Sequence, residues 1–186
     1  PVGARPLGLS VTNIEKWMRD PYALFAKYIL KITPLKPLDQ EPGAAEKGTL
    51  IHKALEGFTK SADQSFEGLL GVGRKVFEDN ITRPGVWAFW WPRFEQVAEA
   101  FIKIEKSRNL THKILATEVR GEVKIGAFNF KLSATADRID GVLKDSSFEI
   151  IDYKTGTPPS IKQIESGFAP QLPLEGVIAK KGGFTS

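Results

Sequence analysis

Apolar positions along the chain fall into two rhythms, a helical one in the first 110 residues and an alternating one after it. Ile14, Trp17, Met18, Leu24, Phe25 and Tyr28 recur at helical spacing, with Ser10 or Thr12 placed to cap the start. Asp20-Pro21 interrupts this pattern, which fits two helices meeting at the proline or one helix and a restart. Pro34 to Gly48, with three prolines and mixed charge, reads as a loop. Thr49 then reads as the cap of a helix whose apolar stripe is Leu50, Ile51, Ala54, Leu55 and Phe58. A weaker signal predicts one helix around Phe66 to Phe77, followed by Arg83-Pro84-Gly85. The aromatic-dense Trp87-Ala-Phe-Trp-Trp91-Pro opens a helix through Phe94, Val97, Phe101, Ile102 and Ile104.

Alternation takes over downstream. Ala116 to Ile125 reads as a strand that turns into Phe128 to Ala136. Ser133 to Gly156 reads as a hairpin: alternation runs up to Asp137, Lys144 to Ser147 supplies the turn, and Phe148 to Lys154 forms the returning strand. A final helix is expected from Phe168 to Lys181, broken or started near Pro173. Helices, then three strands, then a helix predict an α/β fold with a mixed sheet flanked by helices.

The hairpin carries the chemistry. Side chains two apart on a strand share a face, so Asp152 and Lys154 project together, with Phe148 and Ile150 on that face expected to be buried. Charges on an apolar strand cost energy unless paired. A divalent cation held by Asp137 and Asp152, with Lys154 beside it, would supply the pairing; solvation at the strand end is the bland reading. Asp140 competes with Asp137 as first ligand, but its parity puts it on the opposite strand face.

His52 and Glu56, four apart, share a helix face. The imidazole is read either as a metal ligand, with Glu56 orienting its second nitrogen, or as a core-edge group satisfied by a hydrogen bond. The Trp87–Trp91 aromatics are expected in the core, with one exposed Trp; the other reading is a platform for stacked bases. Lys103, Lys106 and Arg108 are read as a solvated helix face, and Arg138 and Lys53 as solvated surface rather than phosphate contacts.

A chain of 186 residues suits one domain and buries roughly 70% of its unfolded surface. It has no cysteine, so disulfides, zinc–thiolate sites and iron–sulfur clusters are excluded. No apolar run approaches the ~20 residues that span a bilayer, and no signal-peptide pattern opens the chain. A net charge of +4 suits a nucleic-acid partner without proving one. The start at Pro1 without methionine suggests a domain excised from a longer protein.

Ala134-Thr-Ala-Asp137-Arg-Ile-Asp140 followed by Ile150-Ile-Asp152-Tyr-Lys154-Thr-Gly resembles the catalytic hairpin of the PD-(D/E)xK nuclease superfamily. More narrowly it is similar to the RecB-like nuclease domain at the C-terminus of AddB-type helicase–nuclease subunits. Gly48-Thr-Leu-Ile-His52-Lys-Ala-Leu-Glu56 is similar to that family's histidine helix, and Gln171-Leu-Pro-Leu-Glu-Gly to its glutamine helix. Leu9-Ser10 through Leu30 resembles its opening helix, so the resemblance covers most of the chain.

The resemblance implies a restriction-endonuclease-like αβββαβ core with additional N-terminal helices, its last strand beginning only where this chain ends. It implies metal ligation by His52, Asp137, Asp152 and the Tyr153 backbone carbonyl, catalytic Lys154, and a Gln171 that contacts substrate or the lysine; a surface polar role for Gln171 stays open. The oxygen-rich set points to Mg2+, and the imidazole would also accept Mn2+. A cysteine that helps hold an iron–sulfur cluster in such relatives is replaced by Asp20. The expected activity is a DNA exonuclease working on single strands in double-strand-break repair, partnered with an AddA-like helicase subunit, cytoplasmic and nucleoid-associated. The alternative is a non-catalytic nucleic-acid-binding or scaffold module that keeps the fold.

Overall fold

The computed structural model describes residues 2–35, 42–126, 129–145 and 147–184. Strand β1 (Gly8–Ser10) leads directly into α1 (Val11–Arg19), where the Ser10 hydroxyl accepts the Asn13 N–H at 3.2 Å. Asp20 ends α1 and caps α2 (Pro21–Phe25), with Pro21 in the first turn where its missing N–H costs nothing. A π turn, Ala26–Leu30, closes on Lys31 in the left-handed region. Two helices meeting at the proline is therefore the arrangement adopted.

Helix α3 (Ala44–Thr59) begins five residues before the expected Thr49. Glu46 accepts the Gly43 N–H at 3.0 Å and fixes the earlier start, while Thr49 lies inside the helix and donates to the Ala45 carbonyl. The loop expected over Pro34 to Gly48 thus ends early, and residues 36–41 of it lie outside the described residues. Helices α4 (Phe66–Asn80) and α5 (Pro84–Arg108) follow as the apolar spacing predicts.

These three helices pack into one apolar cluster around Leu55, Phe58, Leu69, Phe77 and Phe94. Gly73 lets α4 approach so closely that a Cβ there would lie 2.1 Å from the Phe94 ring. Trp90 and Trp91 are buried in this cluster; the exposed aromatic of the stretch is Phe89, covered by the Arg93 guanidinium at 3.8 Å, and not a tryptophan.

The sheet is mixed. Strand β2 (His112–Ile125) runs antiparallel to β3 (Phe130–Val142) along almost its whole length. Two short strands share the other edge of β3: β1, parallel at Lys131–Ser133, and β4 (Phe148–Ile151), antiparallel at Arg138–Gly141. Between them the β3 edge from Ala134 to Asp137 pairs with no strand among the described residues. Phe184 forms an isolated antiparallel bridge to Gly121 on the far edge of β2.

Helices α6 (Ile161–Glu165) and α7 (Gln171–Lys180) complete the fold. Ile178 of α7, Val11 of α1 and Leu132 and Ala134 of β3 form a second, smaller core. The mixed sheet flanked by helices is the expected α/β class.

Several local expectations need correction, among them the strand expected from Ala116, which begins at His112. The returning hairpin strand stops at Ile151, so Asp152 to Lys154 lie just past it. Phe148 is exposed and Ile150 only half-buried, because β4 is a four-residue strand at the sheet rim. β1 and α6 carry no periodicity of their own, being three and five residues long, and were not expected. The strand expected from Phe128 begins at Phe130, and Phe128 itself lies outside the described residues. No described helix is long and apolar enough to cross a membrane.

Candidate active site

The unpaired stretch of β3 between β1 and β4 ends at Asp137, and the chain leaving β4 passes directly over it. The Tyr153 N–H donates to Asp137 Oδ2 at 2.8 Å. Helix α3 arrives from the other side, its Gly48 so close to the chain after β4 that a Cβ there would lie 2.9 Å from Thr155 Oγ1. One helical turn further on, His52 Nδ1 stands 3.4 Å from Asp137 Oδ2. His52, Glu56, Glu118, Asp137, Lys53 and Thr155 line one open cleft of about 470 Å³.

Asp152 and Lys154 form the second half of the site. Lys154 Nζ lies 2.6 Å from Asp152 Oδ2. Gln171, in the first turn of α7, bridges the pair: its carbonyl accepts from Lys154 Nζ at 3.1 Å, and its amide donates to Asp152 Oδ1 at 2.6 Å. Asp152 is almost fully covered, while the Lys154 amine keeps 42% of its side chain in solvent. A cation that reaches solvent beside a buried carboxylate is available to an incoming anion.

Negative charge is in excess here. Burial raises the Asp137 carboxyl above its usual range, against the Tyr153 N–H and His52, and the Asp152 charge adds to the rise. Burial and the nearby Asp137 and Glu56 carboxylates likewise raise Glu118. Glu118 holds a left-handed φ of 49° within β2, a conformation that costs a non-glycine residue about 1 kcal/mol or more.

His52, Asp137, Asp152, Lys154, Tyr153 and Gln171 are thus brought to one end of the sheet. They form two linked groups, His52–Asp137 and Asp152–Lys154–Gln171, joined through the Tyr153 N–H. Among the described residues no three His, Asp or Glu side chains already stand close enough together to hold a metal. Asp137 and Asp152 engage the Tyr153 N–H, Lys154 and Gln171 instead. The donor chemistry nonetheless fits a hard divalent cation: desolvated carboxylates with unmet negative charge, and a neighbouring imidazole.

Other expectations fall elsewhere. Glu56 pairs with Lys60 and has no bond to His52 among the described residues. Asp140 points away from the cleft, as its parity requires, and is fully buried. Arg138, expected on the surface, is 1% exposed and grips Asp140 through two bonds of 2.6 and 2.8 Å and Glu105 through one of 2.8 Å. Arg108, expected on a solvated face, reaches Asp140 at 2.9 Å and Glu149 at 2.8 Å. Burial alone would raise Asp140, yet the two guanidiniums hold it below its usual value. This carboxylate is a structural anchor beneath the site. Lys53 is exposed as expected and lines the cleft.

Two residues escaped the sequence reading. Glu118 and Glu175 both carry raised carboxyls beside the site. Strand parity could have placed Glu118 opposite Asp137 had the register of the β2–β3 turn been countable.

The chain matches the PD-(D/E)XK nuclease superfamily over residues 8–185. It is similar to an uncharacterized protein of Rickettsia bellii (strain RML369-C), 34% identical over 95% of this chain and 22% of that protein. Uncharacterized proteins of Rickettsia conorii and Rickettsia typhi are 32% and 33% identical over 97% and 96% of this chain. The chain spans 22% to 23% of the length of these three relatives.

Proposed function

Because the chain belongs to the PD-(D/E)XK nuclease superfamily, we propose that it is a Mg2+-dependent deoxyribonuclease, an exonuclease acting on single DNA strands. The observation that carries this reading is the Asp137–Tyr153 link, which ties the His52–Asp137 pair to the Asp152–Lys154–Gln171 group at one end of the sheet. His52, Asp137, Asp152 and the Tyr153 carbonyl would hold the cation, with Mn2+ accepted as well. A bound divalent cation neutralises phosphate charge and makes a water more acidic.

The chain's own residues do the rest. Lys154, held by Asp152 and Gln171, meets a phosphate oxygen and orients the attacking water. Asp152 and Gln171 together hold the amine at the mouth of the site. Water gives up a proton to solvent as it forms a bond to phosphorus, the ester P–O bond breaks, and the leaving oxygen takes a proton from solvent. Lys53 on the cleft rim, which also lines a groove with Arg83 and Trp90, suits an incoming strand with its phosphates on the cations.

The proposed setting is double-strand-break repair, with an AddA-like helicase subunit presenting the strand in a cytoplasmic, nucleoid-associated complex. The matched relatives are long enough to carry further domains, which agrees with this arrangement. Incubation with end-labelled single-stranded DNA tests the activity. Cleavage is expected with Mg2+ and not with chelator, and Lys154→Ala should lower it about 100-fold or more. Strand binding without cleavage at saturating Mg2+ would point to the non-catalytic module instead.

A further inference from the structure

Glu175 lies one helical turn beyond Gln171 on α7 and is 1% exposed. Its Oε1 accepts the Gln171 side-chain N–H at 3.2 Å, while its Oε2 is buried with no hydrogen-bond partner among the described residues. Burial pushes the carboxyl up to about 7, with the Asp152 and Asp137 charges adding to the rise and the Gln171 bond opposing it. A buried carboxylate with an unmet oxygen lowers stability, and such costs are tolerated where function needs them.

What the cost achieves is visible at Gln171. A primary amide has nearly the same shape when turned end for end, so only its neighbours fix which end is oxygen. On one side stands the Lys154 amine, a donor. On the other stand two acceptors, Asp152 Oδ1 at 2.6 Å and Glu175 Oε1 at 3.2 Å, one for each amide hydrogen. Reversed, the amide would set its N–H groups against the ammonium and its oxygen against two carboxyl groups.

We propose that Glu175 is a positioning residue: it fixes the Gln171 amide so that the carbonyl holds the Lys154 amine and the NH2 holds Asp152. The proposal deepens the nuclease reading and rests on it for its kinetic consequence. Glu175 is buried and touches no substrate, so its effect belongs in the chemical step and not in strand binding. Arg120, Ser10, Thr12 and Thr135 line the small cavity beside it.

The test compares Glu175→Met and Glu175→Gln with the wild-type chain. The readouts are thermal unfolding, the Gln171 side-chain amide signals in nuclear magnetic resonance, and kcat and KM for single-stranded DNA. Glu175→Met should raise Tm, because a buried unmet oxygen is gone. It should also shift the Gln171 amide proton that Glu175 holds and lower kcat about tenfold, the worth of one hydrogen bond to a charged group, with KM nearly unchanged. Glu175→Gln offers a carbonyl to the same proton and should recover the amide signature and most of kcat. Unchanged Gln171 signals with wild-type kcat in Glu175→Met would overturn the proposal. So would Tm and kcat falling together, or loss of the native spectrum, which mark a structural role. If the wild-type chain cleaves nothing, the nuclease reading fails, and the Gln171 signals still decide the positioning.

Discussion

Asp137 and Asp140 are three residues apart on one strand and do opposite things. Asp137 sits in the cleft with its carboxyl raised by burial; Asp140 lies beneath, held down by Arg138 and Arg108. Alanine at the two positions should therefore give opposite phenotypes. Asp137→Ala should abolish cleavage with Tm unchanged or raised. Asp140→Ala leaves Arg138 buried without its main partner and should cost about 3–5 kcal/mol, measured by urea unfolding. Cleavage lost only in a well-folded Asp140→Ala would reverse the assignment.

Glu175 sets a pH dependence at the same scale. Its carboxyl titrates near 7 in the folded chain against 4.5 as the ordinary value. The folded state holds this proton more tightly than the unfolded one. The resulting stabilisation is complete below about pH 4.5 and is lost as pH rises through about 7. The difference in unfolding free energy between wild type and Glu175→Gln should accordingly change by on the order of 3 kcal/mol across that window. A pH-independent difference would contradict it.

At this scale the sequence was informative where parity and spacing alone decide a direction. Asp152 and Lys154 two apart, and Asp140 out of phase with Asp137, needed no fold to be placed. Arg108 was misplaced because its partners, Asp140 and Glu149, come from other elements, and Arg138 because Glu105 of α5 joins Asp140, two residues along the same strand, in burying it.

The helices α3, α4 and α5 were legible from their apolar stripes, and glycines on them let neighbouring groups come close. At Gly73 a methyl group would collide with the rigid Phe94 ring. Gly73→Ala should therefore destabilise the chain by about 1–3 kcal/mol, read as a lowered urea midpoint with an unchanged slope. At Gly48 the neighbour is the Thr155 hydroxyl, and α3 carries His52 toward Asp137. Gly48→Val should push α3 outward and lower cleavage more than it lowers Tm. Equal losses would mean that the contact serves stability alone. The short β1 and α6 were invisible because three to five residues carry no period. The end of β4 was overrun because Asp152 to Lys154 keep the alternation but leave the ladder.

For the whole molecule, the decisive feature is that β1 and β4 divide one edge of β3 between them. The gap they leave is where Asp137 meets the chain after β4, with α3 and α7 closing from either side. The order of elements in the sequence announced helices around a mixed sheet. It could not announce the gap, since that depends on two strands pairing far apart along the same neighbour.

The function proposed for this chain requires the gap to be a cation site. Anomalous diffraction from a crystal soaked in Mn2+ measures it most directly. A manganese peak within about 2.5 Å of both the Asp137 and Asp152 carboxylates, with His52 beside it and the peak lost in Asp152→Asn, is the predicted result. Manganese bound only elsewhere, or these two carboxylates bare of metal at saturating Mn2+, would contradict it.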